Sequence, residues 1–88
     1  MEAYKNEIIR QLDGLNNGGH YGPFSDLLRK IDEALCWAWR NWDDDIIATY
    51  YEFEKPERPN EKFITNWVEN EDFEADGYDK EELEETFG

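Results

Sequence analysis

The sequence predicts a small α+β protein in which two helices pack on an antiparallel β-hairpin and a short acidic helix follows, in the order ααββα. Three observations favour this fold: helically spaced apolar residues in the first half, two later runs rich in β-branched and aromatic residues, and a strongly acidic C-terminal end. The length of 88 residues predicts a single domain, 1–88, with a globular body over 1–68 and an acidic segment over 69–88.

The first predicted helix covers residues 3 to 15 and ends either before Gly14 or just after Leu15. Its apolar residues recur every three or four positions, which places them on one helical face, and charged residues occupy the other sides. Asp13, Gly14 and the asparagine- and glycine-rich stretch after residue 15 supply the turn chemistry that ends the helix. The apolar face consists of Tyr4, Ile8, Leu12 and Leu15.

The second predicted helix has the strongest helical periodicity in the chain. Ser25 suits its N-cap, and Asp26 is favourable in its first turn. The run of Asp43, Asp44 and Asp45 is predicted to end this helix, where three acids oppose the helix macrodipole. Such an unfavourable choice indicates a functional surface or the turn into a strand. The predicted core-facing residues are Phe24, Leu27, Leu28, Ile31, Leu35, Ala38, Trp39 and Trp42.

Two predicted strands follow the second helix. Residues 46–53 are rich in β-branched and aromatic side chains, and residues 62–69 place Phe63 and Trp67 on one parity. The segment between them, 54–61, contains two prolines and is therefore expected to be a loop. These features predict an antiparallel hairpin with a long tip. Trp67 is expected to pack across the two strands of this hairpin.

The C-terminal segment, 69–88, carries ten carboxylates and one lysine, and thus −9 of the net −14 of the chain. Four apolar side chains interrupt this charge and predict partial order, because a purely solvating tail needs none. Asp79 fits the N-cap of a final helix over 80–87, with Glu82 three residues later as in a capping box. The apolar side chains are Phe73, Tyr78, Leu83 and Phe87.

The composition disfavours several classes of function. Strong acidity disfavours direct binding to nucleic acid or to an anionic membrane, favours a basic partner, and helps to keep a protein monomeric. The single cysteine, Cys36, permits no internal disulfide and favours a reducing, cytoplasmic compartment. The sequence contains no apolar run near 18 residues and opens with no signal-peptide pattern, so no membrane association is expected.

No motif for catalysis, cofactor binding or metal binding stands out, so a non-enzymatic protein without cofactor is expected. Placing Gly77 at the sixth position of a calcium-binding EF-hand loop puts Leu83 at the twelfth, where a bidentate glutamate is required. A nucleophilic pair of His20 and Cys36 has no supporting motif, and Cys36 suits a small packing residue. The glycines over 14–22 lack the Lys-Ser/Thr of a phosphate-binding loop.

The main functional signal is the clustering of carboxylates. Neighbouring carboxylates lie about 5–6 Å apart on a helix and about 6.5 Å apart on a strand, comparable with the phosphates along a nucleic-acid strand. A groove of lysine and arginine residues that holds nucleic acid also attracts such a row, whereas solubility alone is the competing explanation. Trp37 and Tyr21 are the candidate exposed aromatic anchors. The candidate partner-binding residues are Asp43, Asp44, Asp45, Glu69, Glu71, Asp72, Glu74, Asp76, Tyr78, Asp79, Glu81 and Glu82.

These features resemble the small acidic proteins with which phages block host defences, the DNA-mimic inhibitors that include many anti-CRISPR proteins. The resemblance rests on size, on the run from Asp43 to Asp45, on the acidic stretch 69–85, and on the expected ααββα order without a catalytic motif. It implies an inhibitor that covers the nucleic-acid-binding groove of a CRISPR nuclease or surveillance complex in the host cytoplasm. In that role the acids steer association, and Tyr78 or Phe73 supplies residence time. Acidic immunity proteins and antitoxins that plug a basic nuclease site share this chemistry and are an alternative, and a calcium-responsive acidic domain is a further one.

Overall fold

A computed structural model describes residues 2–16 and 26–88 of the chain. Within these ranges all regular secondary structure is α-helical, and no strand is present. The predicted α+β class is therefore wrong, and both runs assigned to the β-hairpin belong to helices. The helices are α1 (Ala3–Asn16), α2 (Asp26–Asn41), α3 (Asp44–Tyr51), α4 (Glu61–Asn70) and α5 (Lys80–Phe87).

The first predicted strand is largely α3, because the three aspartates before it start a helix instead of ending one. Asp43 is the N-cap, and its carboxylate accepts a hydrogen bond from the backbone N–H of Ile46 at 2.9 Å. Asp44 and Asp45 lie in the first turn, where the helix macrodipole favours negative charge. Because α2 already ends at Asn41, the predicted conflict between these acids and a helix C-terminus does not arise.

The second predicted strand is α4. Asn60 caps this helix by accepting a hydrogen bond from the backbone N–H of Phe63 at 2.9 Å. Burial follows a helical pattern, since Ile64 is fully buried while Thr65, which a strand would place on the same face as Phe63 and Trp67, is only half-buried. Preference for strands spans only about 1 kcal/mol per residue and yields to packing of this kind. The buried residues of α4 are Phe63, Ile64, Trp67 and Val68.

The other three helices confirm the sequence predictions. α1 extends through Gly14 and ends at Asn16, and α5 has the predicted bounds, with Asp79 accepting a hydrogen bond from the backbone N–H of Glu81 at 2.9 Å. The predicted N-cap Ser25 and the linker 18–23 lie outside the described residues. The buried side chains of these helices are Tyr4, Ile8 and Leu12 in α1, Leu28, Ile31, Leu35 and Ala38 in α2, and Leu83 and Phe87 in α5.

The core is built around α1, which contacts α2, α4 and α5. Side chains from all five helices join Phe73 in one buried apolar cluster. Trp39 and Trp42, which the helical stripe predicts in the core, are half-buried and pack against this cluster. The loop after α3 folds back on α2, because the indole N–H of Trp39 donates to the Pro56 carbonyl at 3.0 Å and Lys55 hydrogen-bonds the Trp42 carbonyl. No helix in the described part of the chain is both long and apolar enough to cross a membrane.

Candidate functional site

The chain leaves α4 in a compact loop, residues 71–79, that packs on the core. Phe73 is buried, and its ring meets the rings of Trp67 and Tyr78 edge-on at centroid distances of 6.0 and 5.9 Å. The backbone N–H of Tyr78 donates to the Phe73 carbonyl at 2.9 Å and closes the loop. With Leu83 and Phe87 buried on α5, the acidic segment is folded onto the body of the protein.

The loop that resembles a calcium site in sequence is held by its own backbone contacts. The Asp72 carboxylate accepts a hydrogen bond from the backbone N–H of Ala75 at 3.2 Å. Gly77 has a φ of 94°, a left-handed conformation that residues with a Cβ rarely adopt, which explains its place in the turn. Residues 2–16 and 26–88 contain no group of three or more acidic, histidine or cysteine side chains that could hold a metal ion.

Two lysines tie the acidic segment to α1. Lys5 donates to the carbonyls of Glu69 and Glu71 at 3.4 and 3.3 Å, at the C-terminal end of α4, where the helix dipole favours a cation. Lys80, the one cation of the segment, pairs with Glu2 at 2.8 Å, and this hydrogen bond is the main reason that the pKa of Glu2 is lowered. Within the described residues, neither lysine forms an ion pair with a carboxylate of the acidic segment.

The carboxylates of residues 69–88, called the tail carboxylates below, face solvent. All are exposed apart from that of Glu71, which is half-buried. Among the described residues, none of them forms an ion pair with a lysine or arginine side chain. On α5 they surround the buried Leu83, which leaves acids on the other sides of the helix. The exposed tail carboxylates are Glu69, Asp72, Glu74, Asp76, Asp79, Glu81, Glu82, Glu84 and Glu85.

The second acidic cluster, Asp43 to Asp45, lies at the start of α3. All three side chains are exposed, and they follow Trp42, whose ring stacks on Tyr51 at 5.4 Å and meets Phe63 at 6.4 Å. Phe63 belongs to the start of α4, whereas the acidic segment leaves from its end, roughly 10 Å along the axis. The residue before the second cluster therefore contacts the start of α4, whereas the acidic segment leaves from its end.

A cleft of about 410 Å³ opens between α2 and the loop 71–79. Trp37 of α2 stands at its edge with 63% of its surface exposed, as expected for a residue off the core stripe. The sequence prediction did not place Trp37 in one cleft with two of the candidate acids. A signal that could have done so is the pair of small residues, Ala34 and Ala38, which line the same cleft. The lining residues are Ile31, Ala34, Trp37, Ala38, Trp67, Glu71, Phe73, Asp76 and Tyr78.

One acid of this cleft, Glu71, has a pKa well above its usual range. Burial raises the pKa of Glu71 to about 7, and a hydrogen bond to Asp76 together with the charges of Asp76 and Asp72 adds to the effect. Lys5 acts in the opposite direction and only weakly, because it contacts backbone carbonyls. A hydrogen bond between two carboxyl groups requires a proton on one of them, so the hydrogen bond to Asp76 favours the protonated form of Glu71.

The cysteine has no sign of activation. Burial, followed by the charge of Asp32, raises the pKa of the Cys36 thiol, whereas a nucleophilic thiol needs a lowered one. Its sulfur lies 4.0 Å from the Asp32 carboxylate. His20, its hypothetical partner, and Tyr21, the other candidate aromatic anchor, lie outside the described residues.

Comparisons with known proteins identify no relative. No family model matches the chain, and no curated protein or solved structure does so either. The resemblance to DNA-mimic inhibitors loses the ααββα order on which it partly rested and keeps the size and the charge pattern. Function is therefore inferred from the chemistry of the surface.

Proposed function

We propose that the protein is a non-enzymatic inhibitor whose acidic face occupies the nucleic-acid-binding groove of a basic protein, in the first place a phage-encoded inhibitor of a CRISPR nuclease or surveillance complex. The observation that carries this proposal is the fixed scaffold under unpaired charge. Phe73, Leu83 and Phe87 are buried beneath the tail carboxylates, which form no ion pair within the described residues. Charge that serves solubility alone needs no such anchoring.

The spacing of the acids on α5 supports mimicry of a phosphate backbone. Glu81 lies three and four residues before Glu84 and Glu85, so these carboxylates are neighbours about 5–6 Å apart on the helix surface. Because α5 is held by buried side chains, its charges are ordered before binding, which lowers the entropic cost of association. A groove lined with lysine and arginine would meet a row of charges at nearly the spacing of phosphates.

The structure changes which residues this proposal uses. Phe73 is buried and is not available as an anchor, whereas Trp37 is exposed beside the tail. Asp43 to Asp45 belong to the start of α3, outside the acidic segment, and their part is limited to the overall negative field. The face that enters the groove is formed by the loop 71–79 and α5.

The test is a competition between the protein and nucleic acid for one purified effector complex. Prebound guide or target duplex should block the protein, and the protein should block loading of the duplex. Because steering by charge is screened by salt, the association rate should fall at least about tenfold between about 50 and 300 mM salt. Simultaneous binding of protein and nucleic acid, or an association rate that is insensitive to salt, would contradict the proposal.

A further inference from the structure

The cleft between α2 and the loop 71–79 combines an aromatic wall with a pair of carboxyl groups. Trp37 forms its open edge, the rings of Trp67 and Tyr78 lie deeper, and Glu71 and Asp76 contribute the two carboxyls. Lys5 is the cation nearest to this pair, but its ammonium group is bound to backbone carbonyls. The cleft therefore offers negative charge beside aromatic faces.

An arginine side chain matches this combination. Its guanidinium is planar and weakly hydrated, stacks on aromatic rings, and hydrogen-bonds two carboxylate oxygens at once. The ammonium of lysine is a strongly hydrated point charge, so it loses more hydration free energy than a guanidinium when it leaves water. A neutral apolar ligand would leave the carboxyl pair without a partner.

We propose that this cleft binds an arginine side chain of the basic partner, with the guanidinium between Trp37 and the Glu71–Asp76 carboxyl pair. The identity of that partner rests on the proposed function, since an arginine that contacts phosphate in a nucleic-acid groove is the residue that a mimic has to engage. Binding in the cleft would add a short-range, directional contact to the long-range attraction of the tail carboxylates.

The proton that Glu71 holds in its hydrogen bond to Asp76 makes the binding depend on pH. A guanidinium takes the place of that proton, so it binds the ionised form of Glu71, whose pKa lies at about 7 in the free protein. The affinity should therefore rise about tenfold between pH 6 and pH 8. The other titratable groups that interact electrostatically with this pair are Asp72, Tyr78, Lys5 of α1 and Tyr51 of α3, and Glu33 of α2 acts on Tyr78.

The experiment is a titration of the isotope-labelled full chain by nuclear magnetic resonance. The probes are pentapeptides of four glycines around a central arginine, lysine or citrulline, the last having the shape of arginine without its charge. We expect the arginine peptide to shift the indole N–H signal of Trp37, assigned with Trp37→Phe, and to bind about tenfold more tightly than the citrulline peptide. Equal binding of those two peptides, or tighter binding of the lysine peptide, would overturn the proposal.

Matched variants separate the cleft from general attraction. Glu71→Gln imitates the protonated side chain, so folding should persist, while arginine affinity at pH 8 falls about tenfold and its pH dependence disappears. Glu54→Gln makes the same change of charge on an exposed side chain after α3 and should alter that affinity by less than about twofold. An equal loss of affinity for the arginine peptide in the two variants would show that only net charge matters, and it would refute binding in the cleft.

The same variants distinguish failure of the cleft from failure of the proposed function. If Glu71→Gln binds the arginine peptide as tightly as the natural protein while the natural protein still competes with nucleic acid, only the cleft proposal is wrong. If the cleft binds arginine as described but the protein and nucleic acid occupy an effector together, the cleft stands and the DNA-mimic function falls.

Discussion

The two acidic clusters differ in what their carboxylates do for the fold. Asp43 caps α3, and the two aspartates after it occupy the first turn, so the whole run has a local structural explanation. In the acidic segment Asp72 and Asp79 have similar roles, but the side chains of Glu84 and Glu85 form no hydrogen bond or ion pair within the described residues. An acidic run is therefore evidence for binding only where its carboxylates do not cap a helix or a turn. The carboxylates without such a role lie on the loop 71–79 and α5.

The largest expected effect concerns the anchoring of the acidic segment. Phe73→Ala should lower the free energy of unfolding by about 3–5 kcal/mol, because it removes a buried ring that packs on Trp67 and Tyr78. Urea denaturation followed by far-UV circular dichroism measures this change. Tyr50→Ala is the control, because Tyr50 is 75% exposed and its loss should alter stability by less than about 0.5 kcal/mol.

If Phe73→Ala does not fold, the milder Phe73→Leu keeps the comparison measurable, with an expected loss of about 1–2 kcal/mol. A loss below about 0.5 kcal/mol for either variant would mean that the loop is not packed, and the tail would then be a solvating appendage.

The next effect separates the two clusters directly. Asp43→Ala should destabilise the protein by about 1 kcal/mol, because the first turn of α3 loses the acceptor for the Ile46 N–H. Asp43→Asn should restore most of that loss, since an amide oxygen also caps. Glu85→Ala should change stability by less than about 0.5 kcal/mol. Equal effects of Asp43→Ala and Glu85→Ala in thermal or urea denaturation would erase the distinction between structural and unassigned acids.

A smaller effect is expected from the carboxyl pair of the cleft. The pKa of Glu71 is raised from 4.5 to about 7 in the folded protein, so the folded state binds the extra proton. The resulting stabilisation is fully present below pH 4.5 and is lost as the pH rises through about 7. Because Glu71 is partly exposed, solvent screening reduces the effect to the order of 0.5–1 kcal/mol.

Glu71→Gln removes this titration, so its stability relative to the natural protein should increase between pH 5 and pH 8. Urea denaturation at both pH values measures the difference, and Glu81→Gln controls for the change of net charge. A constant difference at the two pH values would show that Glu71 titrates normally and that the pair holds no proton near neutrality.

The sequence predicted three of the helices because their signals are local. In α1, α2 and α5 the apolar spacing agrees with turn or capping residues, and Asp79 and its helix were located to the residue. The hairpin prediction was wrong because the β-branched and aromatic residues of both segments are compatible with helices, and a capping residue precedes each segment. Asp43 and Asn60 each accept a hydrogen bond from the backbone N–H three residues later, and Phe63, Ile64, Trp67 and Val68 fit one helical face.

The candidate site was predictable in part for a similar reason. Exposure of the tail carboxylates could be predicted, because charged residues are read directly from the sequence and burying a charge costs free energy. The cleft depends on how α2 is placed against the loop 71–79, and that placement is set by packing of Phe73 and Trp67 in the common core. Glu71 is one of ten acids in the sequence of this segment, and only its half-burial beside Asp76 sets it apart.

The most direct test of the central claim compares two charge variants with the natural protein in association with one nucleic-acid-binding effector at low salt. Glu81→Gln/Glu84→Gln/Glu85→Gln removes three charges from the tail, and Asp44→Asn/Asp45→Asn/Glu54→Gln removes three elsewhere. We predict that the tail variant associates about tenfold more slowly, while the other variant slows by less than about twofold. Equal slowing of the two variants would contradict the account, because the tail would then act only through net charge.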